Sequence, residues 1–508
     1  MQLRNASRLL SVSVLGLGGL VSTNAVFAAG FALRNHSASG VGTSLASDTV
    51  NTFDASGLLS NPAIMSQFKG NHLSLNINYT AAGINAKDAK ATPYAAVTGA
   101  SYAATQGPSS VDDISDPVTV PSIAAIFQVT DDVHAGFTFN VPYGTNTEYN
   151  NEWAGRYHAI KTELKTFDVG LHLSYKVSDM LAVGVSADWQ KAEGELSQAS
   201  DLGLISYAGA GAAARRYQAA AQQAAAAAQT AQANGDAAAA QQYAAAAQQA
   251  AGAAQQAGAA ATQAFPLIGR ADAITTYKGD STSYGWGLGL FFKPVEGTRV
   301  GFSFKGSIRH TAKGDLTWGP TNNFSTQLLA GLAATDSRFK NSDDADLSLK
   351  LPTVTSLGLA QDLSDFTVYA NVTLTQWNSF NDLSPEFAGT RSVTELFWKN
   401  SLYYAVGADY RLAPEWTLRA GLGFDQSATD TKHRTPRTPD NDRVALSIGA
   451  SYVYGAFNVT AAYQKLFVDD AKVDLKAADY PDNNTRGDLT ANLEIDPSIG
   501  VVSVGYGF

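Results

Sequence analysis

The feature that most restricts what this chain can become is a two-residue alternation of apolar with small or polar side chains. In Asp442–Tyr454, Val444, Leu446, Ile448, Ala450 and Tyr452 fall on one face, with Ala445, Ser447, Gly449 and Ser451 on the other. Trp416–Phe424 and Phe167–Val177 repeat the pattern. Successive side chains of a strand point to opposite faces, so each segment is apolar on one side only. Such segments recur at 70–84, 120–129, 133–149, 164–177, 181–196, 284–294, 298–314, 348–363, 366–380, 400–412, 416–427, 442–454, 457–468 and 499–508. That predicts about fourteen strands, with boundaries good to a few residues.

The connections sort into two kinds. Thr130–Asp132, Ser178–Met180, Val295–Gly297, Ser364–Asp365, Ala413–Glu415 and Gly455–Ala456 are tight turns, and every intervening connection is long. Short and long connections in strict alternation are the mark of an outer-membrane barrel, with short periplasmic turns and long extracellular loops. A soluble sandwich or propeller fits poorly, because these strands are about twice the usual length of roughly five to six residues. Past the N-terminus no apolar stretch reaches the roughly 18 residues of a helical span. Lipid cannot hydrogen-bond a free strand edge, so the predicted fold class is an all-β transmembrane barrel, closed and antiparallel. Its compartment is the outer membrane of a Gram-negative bacterium. Tyr79, Tyr143, Trp189, Trp377, Tyr410, Trp416 and Tyr454 stand near strand ends, where aromatic girdles lie.

Composition excludes other classes. The chain has no cysteine, hence no thiol nucleophile, disulfide or Cys-based zinc site. Charged residues make up 16%, well below the roughly 25% of soluble domains, and a net charge of −10 offers nucleic acid no footprint. No Gly-x-Ser-x-Gly elbow and no His-x-x-x-His spacing occurs. His172 and Ser174 share a strand face, but parity points them into the lumen near a periplasmic turn. The chain is read as no enzyme, and neither a metal nor a cofactor is expected.

The N-terminus reads as a secretory signal, residues 1–28. Arg4 and Arg8 precede an apolar Leu9–Val21 stretch, and Val26 and Ala28 stand at −3 and −1 of a cut before Ala29. Residues 29–69 lack alternation but carry dispersed hydrophobes such as Phe31, Leu33, Leu45, Phe53 and Leu58. They suit a plug in the lumen of the barrel at 70–508, where irregular backbone is tolerated.

The residues here carry a family likeness. Ala29-Gly30-Phe31-Ala32-Leu33, Ser37-Ala38-Ser39-Gly40 and Ser60-Asn61-Pro62-Ala63 resemble the N-terminal hatch of the FadL-type (OMPP1/FadL/TodX-like) long-chain fatty acid transporters. Trp153-Ala154-Gly155-Arg156-Tyr157, Leu351-Pro352-Thr353, Thr375-Gln376-Trp377, Tyr404-Ala405-Val406-Gly407-Ala408, Pro439-Asp440-Asn441-Asp442-Arg443 and Leu466-Phe467-Val468-Asp469-Asp470 look like family blocks in family order. Each is weak alone, and the ordered set is strong.

The resemblance implies passive uptake of a long-chain fatty acid or another hydrophobic small molecule. The ligand would be captured at extracellular loops, held in an internal pocket near Phe31, and released sideways through a kinked third strand. The sequence offers its own kink. Proline donates no ladder bond and glycine often marks a bulge, and both fall in Asn140, Val141, Pro142, Tyr143 and Gly144. These five residues are the expected lateral gate, with Asn61, Pro62 and Ala63 expected beside it. Strand parity places Lys305, Arg309, Arg411 and Arg419 in the lumen, and Arg156 opens the second long loop. Arg156 and Arg309 are the leading candidates for a ligand carboxylate.

Expected partners beyond the ligand are outer-membrane lipid and lipopolysaccharide, and the barrel-assembly machinery reading the aromatic C-terminus at Phe508; the chain is taken as a monomer. Three other readings stand beside fatty acid transport: an aromatic hydrocarbon channel of the same family, a general diffusion porin, and an outer-membrane acyl hydrolase.

Residues 208–264 are almost wholly Ala and Gln, inside the third long loop. Both are good helix formers, and Asn234-Gly235-Asp236 interrupts two arms at about 211–232 and 237–263. A helical hairpin is expected, with low-complexity disorder as its rival.

Overall fold

The computed structural model describes residues 30–93, 104–479 and 485–508. The signal expected at 1–28, and Ala29, lie outside the described residues. The wall opens with β1 (His72–Ala81) and, past a strand β2 (Ile84–Thr92) outside the wall, continues in β3 (Val118–Gln128). The third wall position is split into β4 (Val133–Asn140) and β5 (Gly144–Glu148). β6 (Lys161–Lys176), β7 (Leu181–Asp201) and β8 (Asp272–Phe292) follow. The seventh and eighth positions are also split, into β9 (Thr298–Lys305) with β10 (Arg309–Pro320), and β11 (Ser342–Lys350) with β12 (Val354–Leu363). Beyond β13 (Phe366–Thr375), the short β14 (Glu386–Phe387) and β15 (Thr390–Arg391) lie in a loop. β16 (Ser401–Arg411), β17 (Trp416–Asp425), β18 (Arg443–Tyr454) and β19 (Phe457–Val468) return to the wall. β20 (Ala471–Leu475) and β21 (Asp488–Ile495) leave it, and β22 (Ser498–Gly507) completes it.

These are fourteen antiparallel wall positions, and the barrel closes where β1 pairs β22 from His72↔Gly507 to Ala81↔Ser498. The alternation read from the sequence is what sorts the faces. On β1, Leu75, Ile77 and Tyr79 are exposed to the lipid side, while Ser74, Asn76, Asn78 and Thr80 are buried inside. Outside the wall, β2, β21 and β20 form a small sheet that joins the first long loop to the last.

Residues 30–68 fill the lumen. The helix Ala38–Gly42 packs on β18 and β19, the turn at Asp48–Val50 on β9 and β12, and Pro62–Gln67 on β6, β7 and β8. Glycines on the inner face make this fit possible. A Cβ at Gly184 or Gly289 would strike Pro62 and Ala63 or Asn61, and one at Gly407 or Gly421 would strike Thr43.

The Ala/Gln segment is helical over Leu202–Ala233 and Ala237–Ala264, with Asp201 and Asp236 side chains capping the two arms. β7 and β8 each run 21 residues, longer than the alternation suggested, and carry this hairpin above the membrane band.

Candidate functional site: a split wall strand and two cavities

The third wall strand breaks where proline and glycine fall. Asn140 pairs with Asp168 and Gly144 with Lys165, so three residues of one strand oppose two of the other, a one-residue bulge. On the opposite edge the ladder to β3 stops at Ile123↔Phe139. Val118–Ser122 remain paired with β1 but with nothing on the third strand among the described residues. The freed edge turns inward onto the plug. Leu33 N donates to Pro142 O (2.8 Å) and Gly144 N to Phe31 O (2.9 Å).

One cavity lies at this break and a second lies farther out. The inner one is bounded by Leu33, Leu59, Pro142, Tyr143, Lys305 and Tyr403, among others. Its cations are engaged: Arg34 pairs with Asp425 (2.8 Å) and lies over the Tyr403 ring, and Lys305 Nζ donates to Leu59 O (2.8 Å). Beside it Phe31, only 2% exposed, sits in a box of Trp377 (4.8 Å between centroids), Phe380 (5.2 Å), Trp398 (5.5 Å) and Tyr143 (6.1 Å). The outer cavity lies at the extracellular end between β7, β8 and β10 and the loop holding β14. Leu196, Tyr277, Leu316, Trp318 and Phe387 line it, and Arg437 and Arg486 stand at its edge. Leu383 lines this cavity and also packs against the cluster around Phe31, so apolar surface runs from one chamber toward the other.

Residues 19–508 match the family model described as outer membrane protein transport protein (OMPP1/FadL/TodX). The chain belongs to that family. Among its relatives, outer membrane protein P1 of Haemophilus influenzae is 24% identical over 449 residues, covering 87% of this chain and 86% of that one. The long-chain fatty acid transport protein of Escherichia coli K12 is 24% identical over 450 residues, 87% of each chain. In fold, a Pseudomonas aeruginosa FadL homologue superposes with a TM-score of 0.75 at 22% identity, covering 94% of this chain and all of that one. The Pseudomonas putida toluene transporter TodX gives 0.58 at 15% identity, covering 95% and 100%. The family assignment and the closed barrel together place the chain in the Gram-negative outer membrane.

Within this OMPP1/FadL/TodX frame the residues expected from sequence fall in several places. Asn140, Val141, Pro142, Tyr143 and Gly144 all lie at the break, and Phe31 pairs with it. Asn61, Pro62 and Ala63 make no hydrogen bond to it among the described residues. Asn61 Nδ2 donates to Thr49 O (2.9 Å) and Leu290 O (3.1 Å), and its Oδ1 accepts from Ala63 N, which seats the motif on β7 and β8. Ser60, one residue earlier, does line the inner cavity with Pro142.

Neither leading arginine faces a cavity. Arg156 is buried against Asp272 (Nε–Oδ2 2.7 Å), the Tyr157 hydroxyl and the Gln106 carbonyl, so it fastens the second loop to β8. Arg309 is exposed on the outer face. The register of β8 against β9 and β10 shifts by one residue across Gly306–Ile308, which inverts parity. Lys305 therefore points in and Arg309 out. Arg419 is lumenal and buried, tied to Asp409 (3.3 Å) and lying over Phe53; Arg411 is exposed at a strand end.

Tyr143 and Trp377 are not girdle residues, because the break at Pro142 and the turn after β13 rotate both into the Phe31 box. His172 Nε2 lies 2.8 Å from Thr138 Oγ1, and Ser174 Oγ meets no described partner, so the two form no nucleophile–base pair. Arg437 and Arg486 escaped the sequence reading. They come from different long loops and carry no motif.

Proposed function

We propose that this protein carries long-chain fatty acids or other hydrophobic compounds passively across the outer membrane. The ligand enters the outer cavity, moves along Leu383 past the Phe31 box into the inner cavity, and leaves sideways between β3 and the split third strand. The observation that carries this reading is the edge of Val118–Ser122, unpaired on its third-strand side among the described residues, beside the inner cavity. Unpaired backbone at membrane depth is tolerated where it lines a passage, not where it faces lipid alone. The plug disfavours an open water-filled pore, which would in any case serve an acyl chain poorly. Support also comes from relatives named for long-chain fatty acid transport.

A second reading, uptake of neutral aromatic hydrocarbons, is favoured by the aromatic box around Phe31 and by the fold shared with toluene transporters. The test is uptake of labelled oleate and of toluene by cells with and without the chain, together with binding of both to purified protein. Uptake of neither, from cells with the protein at the surface, would overturn the proposal.

A further inference from the structure

We propose that Arg309 and Lys350 form an anion site on the outside of the wall, taken by a phosphate of lipopolysaccharide in the surrounding outer leaflet. The site stands apart from the transport route, since neither residue lines either cavity.

The argument begins with the irregularity between β9 and β10. Its extra residue reverses parity, so that His310 enters the lumen and Arg309 faces out. Bulges re-aim side chains, and this one turns an arginine from a polar lumen toward the membrane. Arg309 lies directly opposite Lys350 in the β10–β11 ladder. Positions opposite each other share a face, and the neighbours of Lys350, Leu349 and Leu351, are buried on the inner one. Two cations therefore stand side by side on the outer surface. Like charges so placed destabilise a ladder.

Elsewhere on this part of the wall outward lysines are neutralised. Lys161, Lys165, Lys191 and Lys278 pair with Glu163, Glu193 or Glu195. Lys313 stands between Asp280 and Asp346 in the register. Arg309 and Lys350 have no carboxylate within ion-pair distance among the described residues. On their two strands the nearest outward acidic residue is Asp346, four residues from Lys350, or about 13 Å along the strand.

Their height suits a lipid headgroup. Ser283 Oγ donates to Arg309 O (2.8 Å), which sets Arg309 level with Tyr284, exposed and directly opposite Trp189. Such rings mark the extracellular edge of the apolar band. Below the cations, Trp286 and Phe304 pack with centroids 5.2 Å apart and, with the exposed Leu357, offer an apolar ledge for acyl chains. A phosphate above hydrocarbon at this level is what outer-leaflet lipopolysaccharide presents, and the guanidinium fork suits its oxygens. An anion held between the two cations also removes their repulsion.

The test measures, by native mass spectrometry, the binding of lipid A, lipid A stripped of its phosphates, phosphatidylglycerol and inorganic phosphate to full-length protein purified free of lipopolysaccharide. It uses the natural chain, Arg309→Gln, Lys350→Gln, the double variant and, for comparison, Lys278→Gln. Expected is lipid A affinity lower by roughly 10- to 30-fold in the double variant and within about twofold in Lys278→Gln. Neither Arg309 nor Lys350 makes a described side-chain hydrogen bond or ion pair, so melting of the variants in detergent should match that of the natural chain. In the natural chain alone, removing the phosphates from lipid A should weaken binding about tenfold or more. Equal binding with and without those phosphates, or unchanged lipid A affinity in the double variant, would overturn the site. So would phosphatidylglycerol or inorganic phosphate binding as tightly as lipid A.

Discussion

Straightening the third strand should close the proposed exit, and the structure indicates how small a push is needed. Re-forming the ladder opposite Val118–Ser122 would supply about three hydrogen bonds, near 1 kcal/mol each, because only Thr119 and Pro121 turn their backbone that way and Pro121 lacks a donor. It would break the two bonds from Leu33 and Gly144, about 2 kcal/mol, and withdraw the Tyr143 ring from its box, about 2–3 kcal/mol. The bent form is thus ahead by only about 1–2 kcal/mol, and Pro142, which lacks a donor, with Gly144, a weak strand former, favours the bend. Pro142→Val with Gly144→Val restores a donor, about 1 kcal/mol, and adds up to about 1 kcal/mol of strand preference. A shift of about 2 kcal/mol lowers the ratio of bent to straight forms roughly 30-fold. The assay is the initial rate of labelled oleate uptake at matched surface level, with hydrogen exchange at the Thr119 amide reporting whether the ladder has formed. Slowed exchange with unchanged uptake would refute the wall break as the exit.

Four further outcomes follow from the same geometry. Gly421→Val drives a side chain into the backbone at Thr43 and should dislodge the plug, raising conductance in planar bilayers above that of the natural protein. Phe31→Ala empties the aromatic box and should cost about 3–5 kcal/mol of local stability, read by hydrogen exchange at the Gly144 amide. Arg309→Ala should leave oleate uptake within about twofold, because that side chain faces outward. Finally, burial beside Arg486 and Arg437 holds His158 down from 6.5 to about 3. Between those values the unfolded chain binds the proton and the folded cap does not, so stability falls as pH drops. From pH 7 to pH 5 the loss is about 2 kcal/mol, visible in melting curves and absent in His158→Gln.

The wall was legible because one physical demand, apolar toward lipid and small or polar toward the lumen, repeats with a period of two. Where that demand lapses, so does legibility. β8 rises past the membrane band with both faces wet, as at Lys278, and its upper part, residues 272–283, gave no signal, while β7 was read to 196 and runs on to Asp201. Arg309 was misplaced because parity counting cannot register the extra residue at Gly306–Ile308. Tyr143 was misplaced for the same reason at Pro142. Strand pairing between loops, β2 with β21, has no local signature, and the meeting of Arg437 with Arg486 depends on two loops folding together. The break itself was visible, since proline and glycine advertise a missing ladder bond in the chain.

The glycine floor beneath the plug also constrains how the molecule is made. Residues 30–68 touch the wall nearly all round, yet they directly precede β1, and the ring closes only when β22 meets it at the other end of the chain. So close a fit favours an order in which residues 30–68 already lie in place as the later strands wrap them, the β1–β22 seam closing last. On that order, changes in Thr43 or Asn61 would register first as barrels that fail to close.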